Sequence, residues 1–282
     1  MRTSGTLQVG AARVTILNAG DLVLRLADEM AVPEAIWRPK YAAVFDQRRL
    51  FPSQSVYIAH PAGGALVDIN DYPATVAPDS PYLPPDYTPP PGVLSQLATL
   101  GVRPDDIQHV VITHAHWDHF AGTTRRAVDE YAPSFPHARH YLGAADWENA
   151  ETQAALREPD SLEARTLGTL HARGLLELVN GGRVIADGVE IRHAPGESPG
   201  HQVARVHSEG QTLYVLGDLF HDPIEVEHPE WMVTWADPET MLATRRAIMT
   251  DALAENALLV AAHIPGVGQL ERAGEGVRWV AV

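Results

Sequence analysis

The stretch from His109 to His119 constrains this chain more than any other. An apolar run, His109-Val110-Val111-Ile112-Thr113, leads directly into His114-Ala115-His116-Trp117-Asp118-His119. The run reads as a buried strand. The residues after it make poor helix, poor strand and poor core, because they would bury polar groups that lack partners. At the end of a strand the same residues make a metal site. His114 and His116 are two apart, so on an extended segment they point the same way. Asp118 and His119 fall where a helix could begin and face a second position. This spacing suggests ligands for two metal ions side by side. The bland alternative is an exposed polar turn with coincidental histidines. Four candidate ligands within six residues, directly after an apolar strand, speak against it.

Composition narrows the choice. A chain of 282 residues, 45% hydrophobic and 20% charged, can bury a full core. One ordered domain over residues 1–282 is expected, with insertions. The net charge of −15 disfavours nucleic acid, whose phosphates need a basic footprint. Arg125-Arg126 and Arg245-Arg246 read as surface residues. The chain has no cysteine, which excludes disulfides, thiolate metal sites and a cysteine nucleophile. Any metal must be held by imidazole and carboxylate, a donor set that suits zinc, manganese, iron or cobalt. Met1 to Gly10 has no apolar signal-peptide core, and no stretch reaches membrane-spanning length. A cytoplasmic protein without membrane contact is expected.

Along the chain, residues 12–26 alternate apolar and polar around Asn18-Ala19-Gly20-Asp21 and read as a first hairpin. Residues 27–52, rich in proline, arginine and aromatics, read as an excursion. It would cover the active site, pack on a second subunit in a homodimer, or run as a plain surface loop. Ser55–Ala59 and Ala65–Ile69 flank Pro61-Ala62-Gly63-Gly64 as a second hairpin. The proline-dense stretch 71–91 reads as loop, and Val93–Leu100 as a helix stopped by Gly101. Thr123–Tyr131, Ala144–Leu156 and Ser161–Leu178 read as helices, the last two forming a helical insertion at about 144–178. Strands are expected at Ala138–Leu142, Val184–Ala186, Gly188–Ile191, Val203–Val206 and Thr212–Leu216. Asp237-Pro238 opens a helix, and Ala257–Ala262 reads as the final strand.

Three later residues stand at strand ends beside glycine or proline, where the backbone turns tightly. They are His201 in Ser198-Pro199-Gly200-His201, Asp218 in Leu216-Gly217-Asp218, and His263 in Ala262-His263-Ile264-Pro265-Gly266. Strand ends of a layered α/β protein gather on one rim, where sites form. With the first motif they supply enough ligands for two metals sharing a carboxylate. His60, His109, His137, His140, His171, His193, His207 and His228 read as ordinary surface or loop residues.

These motifs, in this order, resemble those of the metallo-β-lactamase-fold hydrolases: HxHxDH at 114–119, PGH at 199–201, GD at 217–218 and the late His263. The resemblance covers roughly residues 12–270 and includes the strand-end Asp68 in Leu66-Val67-Asp68-Ile69-Asn70. It implies an αββα sandwich, two mixed β-sheets flanked by helices. It implies that His114, His116 and His201 bind one divalent ion, zinc by preference, that Asp118, His119 and His263 bind a second, and that Asp218 bridges them. Asp68 would orient a ligand imidazole. A hydroxide held between the ions would be the nucleophile, with Asp118 and Asp218 orienting it and passing a proton to the leaving group. Because ligating imidazoles must be neutral, activity should fall as pH drops.

Within the family, the absence of cysteine excludes the branch with a cysteine ligand, and the presence of Asp218 and the acidic balance disfavour others. The segment Gly217-Asp218-Leu219-Phe220-His221 through Trp231 to Asp237 is most similar to the quorum-quenching lactonase and organophosphate hydrolase branch. Such lactonases often carry a tyrosine where this chain has His221, which is therefore a candidate for binding the substrate carbonyl. Small-molecule lactones or carboxylic esters are the expected substrates, and phosphotriesters the alternative. A non-catalytic metal-binding scaffold is a third reading. Trp117 and Phe120, which flank the ligands, are better candidates for pocket walls than Trp147, Phe220, Trp231 and Trp235.

Overall fold

The computed structural model describes residues 5–61, 63–70, 83, 87–128 and 130–282. The strands of the first half are β1 (Thr6–Val9), β2 (Ala12–Leu24), β3 (Arg49–His60), β4 (Gly63–Val67), β5 (Ile107–Val111), β6 (Thr124–Ala127), β7 (Glu130–Pro133), β8 (Arg139–Gly143) and β9 (Leu176–Val179). Apart from the small β6–β7 hairpin they form a seven-stranded sheet in the order β1-β2-β3-β4-β5-β8-β9. Pairing is antiparallel from β1 to β4 and parallel from β4 to β9. The second half supplies β10 (Arg183–Ala186), β11 (Val189–His193), β12 (Gln202–Ser208), β13 (Gln211–Val215), β14 (Leu258–Val260), β15 (Gly268–Ala273) and β16 (Gly276–Ala281). They make a second seven-stranded sheet in sequence order, antiparallel except at β13–β14.

Strand alternation explains why these sheets stack. Val14, Ile16, Val56, Ile58, Ala65 and Val67 face inward from the first sheet and meet Ala204, Val206, Leu213, Val215 and Val260 of the second. Their alternates, Leu17, Tyr57 and Leu66, face outward and are covered by Val93 and Leu97 of the helix Val93–Thr99 and by Leu167 and Leu170. On the far side, Val203 and Tyr214 are covered by Met241, Ile248 and Met249 of the helix Pro238–Ala254. Each fully buried valine or leucine contributes about 1.5–3 kcal/mol, so a sheet apolar on both faces is stable only between layers. The expected αββα sandwich is thus built. No helix among the described residues is long and apolar enough to cross a membrane.

Several local expectations are corrected. Residues 12–24 form one strand, not a hairpin. Asn18 Oδ1 accepts the Gly20 N–H at 2.9 Å, and the turn-like residues are absorbed as a bulge in the β2–β3 ladder. The 27–52 excursion is mostly helix, Leu26–Glu29 and Glu34–Phe45, before β3 begins. Trp37 stacks on Phe45, whose edge meets Trp231. In place of the helix expected over Thr123–Tyr131, the strands Thr124–Ala127 and Glu130–Pro133 pair as the β6–β7 hairpin. The 144–155 region breaks at Asn149, whose side chain caps the helix Ala150–Ala155. The next helical stretch, a π-helical turn at Ala164–Gly168 and the helix Thr169–Ala172, ends short of β9. There Gly174 takes a left-handed φ of 69° and the apolar run Leu176–Val179 pairs with β8. Leu258–Val260 is not the last strand, since β15 and β16 follow. The expected loop at 71–91 lies largely outside the described residues.

Candidate metal centre and active site

The candidate ligands converge on one rim because they follow the ends of neighbouring strands. His114, His116, Asp118 and His119 follow β5, His201 immediately precedes β12, Asp218 follows β13 and His263 follows β14. Gly217 makes the turn after β13 possible. It has φ 54°, and a Cβ there would lie 2.7 Å from Thr113 Oγ1 and 2.8 Å from His201 Nε2.

Donors 2.0–2.2 Å from a tetrahedral ion stand about 3.4 Å from one another, and two such sets share Asp218. In one, His119 Nε2 and His263 Nε2 lie 3.4 and 3.3 Å from Asp218 Oδ2, and 3.5 and 3.4 Å from the Asp118 carboxylate oxygens. In the other, His114 Nε2 lies 2.8 Å from His116 Nδ1 and 3.8 Å from Asp218 Oδ2. His201 borders this second set. Its ring centroid is 5.2 Å from that of His114, and its Nε2 accepts the Asp218 N–H at 3.2 Å.

The outer nitrogens of four rings are held from behind. His119 Nδ1 bonds Asp68 Oδ2 at 2.9 Å and His114 Nδ1 bonds Thr113 Oγ1 at 3.1 Å. His201 Nδ1 and His263 Nδ1 donate to the carbonyls of Ala194 and Pro52 at 2.9 and 2.8 Å. Donation to a carbonyl requires the proton on Nδ1, which in the neutral ring leaves Nε2 of His263 to face the site, while Nε2 of His201 takes the Asp218 N–H. Asp68, at φ 54°, also accepts the Thr113 N–H and hydroxyl at 2.7 and 2.9 Å.

His119 Nε2, Asp218 Oδ1 and Glu197 Oε2 are buried without a hydrogen-bond partner. Burial would lower His119, yet the carboxylates of Asp218, Asp118 and Asp68 overcome it and raise its pKa well above the ordinary value. Burial holds His201 down to about 3 despite Asp218, so it is neutral, as a ligand must be. Asp218 stays ionised against its burial because His263 and His119 face it. Such a cluster of buried carboxylates calls for positive charge among them, which divalent ions would supply in place of the imidazole protons, so the residues fit two such ions. His114, His116, Glu197 and Asp218 form one group able to hold an ion, and Asp118, His119 and His263 another.

Four contributors lay outside the motifs. Glu197 is 3% exposed, with Oε1 3.4 Å from His116 Nδ1. The only signal for it was its place in the same proline- and glycine-flanked loop as His201. Asp146 accepts the N–H groups of Ala115 and Gly200 and the Ser198 hydroxyl, at 2.9, 2.6 and 2.8 Å, and so ties the two histidine loops together. Arg245, expected at the surface, is fully buried. It donates to Glu225 and to the carbonyls of Leu219, Pro229 and Trp231. Glu225 in turn accepts the N–H groups of His221 and Asp222. His140, also expected at the surface or in a loop, is fully buried within the first sheet.

His221 Nε2 points into the site, 3.4 Å from Asp218 Oδ2, with its ring parallel to that of His263. Above the ligands is a cavity of about 290 Å³ walled by Leu22, Leu24, Leu26, Phe51, Val233 and Trp235, with Glu29 also lining it. Trp117 lines it too, whereas Phe120, Phe220, Trp147 and Trp231 do not; Phe120 and Phe220 are core. Trp235, 47% exposed, sits at the rim.

A match to the Metallo-beta-lactamase superfamily spans residues 48–263, and the chain belongs to that superfamily. Among curated relatives, an N-acyl homoserine lactonase of Bacillus cereus is 24% identical over 124 residues, 44% of this chain and 42% of that protein. The AiiA lactonase of Bacillus thuringiensis subsp. kurstaki is 22% identical over 61% of each chain. The matches thus span about two fifths to three fifths of these relatives' own length. Among solved structures, hydrolase AbOPH of the β-lactamase superfamily superposes with a TM-score of 0.80 at 19% identity, covering 100% of this chain and 98% of that one. AidC, a dizinc quorum-quenching lactonase, gives 0.73 at 18% identity, covering 99% and 97%. Lactonases and AbOPH lie in the branch that the segment around Asp218 resembles.

Proposed function

We propose that the chain is a dinuclear metal-dependent hydrolase that opens lactones or cleaves carboxylic esters. The observation that carries this reading is the convergence of His119, His263 and His114 on the single oxygen Asp218 Oδ2, within 3.3–3.8 Å, while Asp118 faces His119 and His263 at 3.5 and 3.4 Å. One ion would be held by His114, His116 and His201, the other by Asp118, His119 and His263, with Asp218 between them. Zinc suits this imidazole–carboxylate set, as do manganese, iron and cobalt. When bound, the ions supply Lewis acidity to a substrate oxygen and acidify water.

The remaining work falls to side chains. Asp118, which lines the cavity floor, accepts a proton from the attacking water and hands it to the departing alkoxide. His221 Nε2 lies where it can donate to the substrate oxygen that gains charge. The apolar wall receives an acyl chain or aryl group. The wall has no lysine or arginine among the described residues, which favours neutral substrates over anionic ones.

Phosphotriesters are also neutral and remain the alternative. An aliphatic lactone, an aryl ester and a paraoxon-type triester, assayed side by side with metal-depleted and zinc-restored protein, separate the readings. Turnover of the lactone or ester that disappears on depletion and returns with zinc is the expected result. Turnover indifferent to metal would overturn it, and turnover confined to the triester would favour the alternative.

A further inference from the structure

Glu197 lies beside residues expected to bind the first ion, yet it belongs to none of the motifs. It sits in the loop Pro195–Gly200 that leads into His201, and it is 3% exposed. Among the described residues, no arginine or lysine pairs with it. Its ion-pair neighbours are His116 Nδ1 at 3.4 Å and His114 Nε2 at 3.9 Å from Oε1. Oε1 also accepts the Trp235 indole N–H at 2.6 Å, while Oε2 is buried with no partner. A buried carboxylate is ordinarily paired or bound to metal, and here both imidazoles it faces are ligand candidates. His114 Nε2, His116 Nδ1, a Glu197 oxygen and an Asp218 oxygen all lie within 4.8 Å of one another, compact enough to surround one ion. His201 is turned partly away, toward the Asp218 amide.

We propose that Glu197 is a ligand of the first metal ion, adding a carboxylate to His114, His116, His201 and Asp218. The inference rests on the dinuclear reading above. A second carboxylate on this ion makes its site harder, which raises the standing of manganese or iron relative to a site with Asp218 as its one carboxylate. Trp235 Nε1 donates to Oε1 and so holds the carboxylate in place, with that oxygen facing the two imidazoles.

The test is metal affinity, measured on metal-depleted full-length chain by competition of Zn²⁺, and separately Mn²⁺, with a chromophoric chelator. Wild type should bind two ions. Glu197→Gln, which keeps shape and removes the anionic donor, should bind one with unchanged affinity. It should hold the other about ten- to a hundredfold more weakly, with the larger loss for Mn²⁺. Trp235→Phe, which keeps the carboxylate, should stay within a few-fold of wild type. Two ions bound by Glu197→Gln as tightly as by wild type would overturn the proposal. If Glu197→Gln does not fold, Glu197→Asp takes its place, since withdrawing the carboxylate by one methylene should still weaken one ion only. A wild type that binds a single ion sinks the dinuclear reading instead, and the same comparison then decides Glu197 on that ion. A wild type that binds none overturns both.

Discussion

Asp118 is buried against His119 and His263 while also lining the cavity, so it stands between the candidate ligands and the space for a substrate. Asp118→Asn keeps the shape and one acceptor oxygen but removes the base. The expected result is a fall in kcat of about 10²–10⁴ with KM little changed. Zinc content measured on the same sample separates lost proton transfer from a lost ion, and undiminished kcat with zinc retained would remove Asp118 from the mechanism. Asp68 acts at one remove, through His119 and Thr113. Asp68→Ala should weaken zinc binding about ten- to a hundredfold, read by chelator competition, and an unchanged affinity would reduce Asp68 to a turn residue. The motif histidines and aspartates were legible because dense polar side chains at a strand end have no structural use. Glu197 and Asp146 were not, because a lone acid in a loop looks the same whether it faces water or a metal.

The segment between β13 and the helix Pro238–Ala254 depends on one buried pair. Arg245 reaches from that helix to satisfy three loop carbonyls and Glu225, and Glu225 fixes the backbone amide of His221. Removing one partner of a buried pair leaves the other charge uncompensated. Arg245→Met should therefore cost about 3–5 kcal/mol in urea unfolding, and adding Glu225→Gln should recover part of that loss. A double variant no better than the single would mean that the three carbonyl contacts, not the ion pair, hold the loop. The sequence showed an arginine pair and no hint that its first member turns inward. A helix periodicity assigns a face, but only the partner element shows whether a buried carboxylate waits there. The same limit explains the misread 12–24 strand and the strand at 176–179. Local turn signals and apolar spacing were both outweighed by ladders with residues far away in sequence.

At the scale of the whole molecule, candidate ligands from both sheets meet across the sandwich, so metal binding should stabilise the fold. Raising free zinc to about a hundred times its Kd should add about 2.7 kcal/mol per site, seen as a rise in Tm that a chelator reverses. A Tm indifferent to both would mean the ligand sets do not assemble as described. Acid acts elsewhere too. Burial holds His140 at about 4, against partial compensation from the Ala138 and Leu175 backbone, whereas in an unfolded chain it protonates near 6.5. Between those values the unfolded state binds the extra proton. Stability present above about pH 6.5 is therefore lost as pH falls toward 4, by at most about 3 kcal/mol. His140→Leu should flatten that limb of the urea midpoint against pH, and an unaltered slope would assign the acid sensitivity to other groups.

The candidate ligand motifs were legible in the sequence, and through the family they resemble so was the layered fold. Alternating apolar strands must be covered on both faces, and HxHxDH, PGH, GD and the late histidine have no cheaper placement than a shared rim. Only the tertiary structure decided what surrounds them. It brought Glu197 against His116, joined the two histidine loops through Asp146, turned Arg245 inward, and set the leucines of β2 with Trp235 above the candidate ligands. Those contacts join residues far apart in the chain, and their energies come from burial and charge pairing that no local pattern encodes.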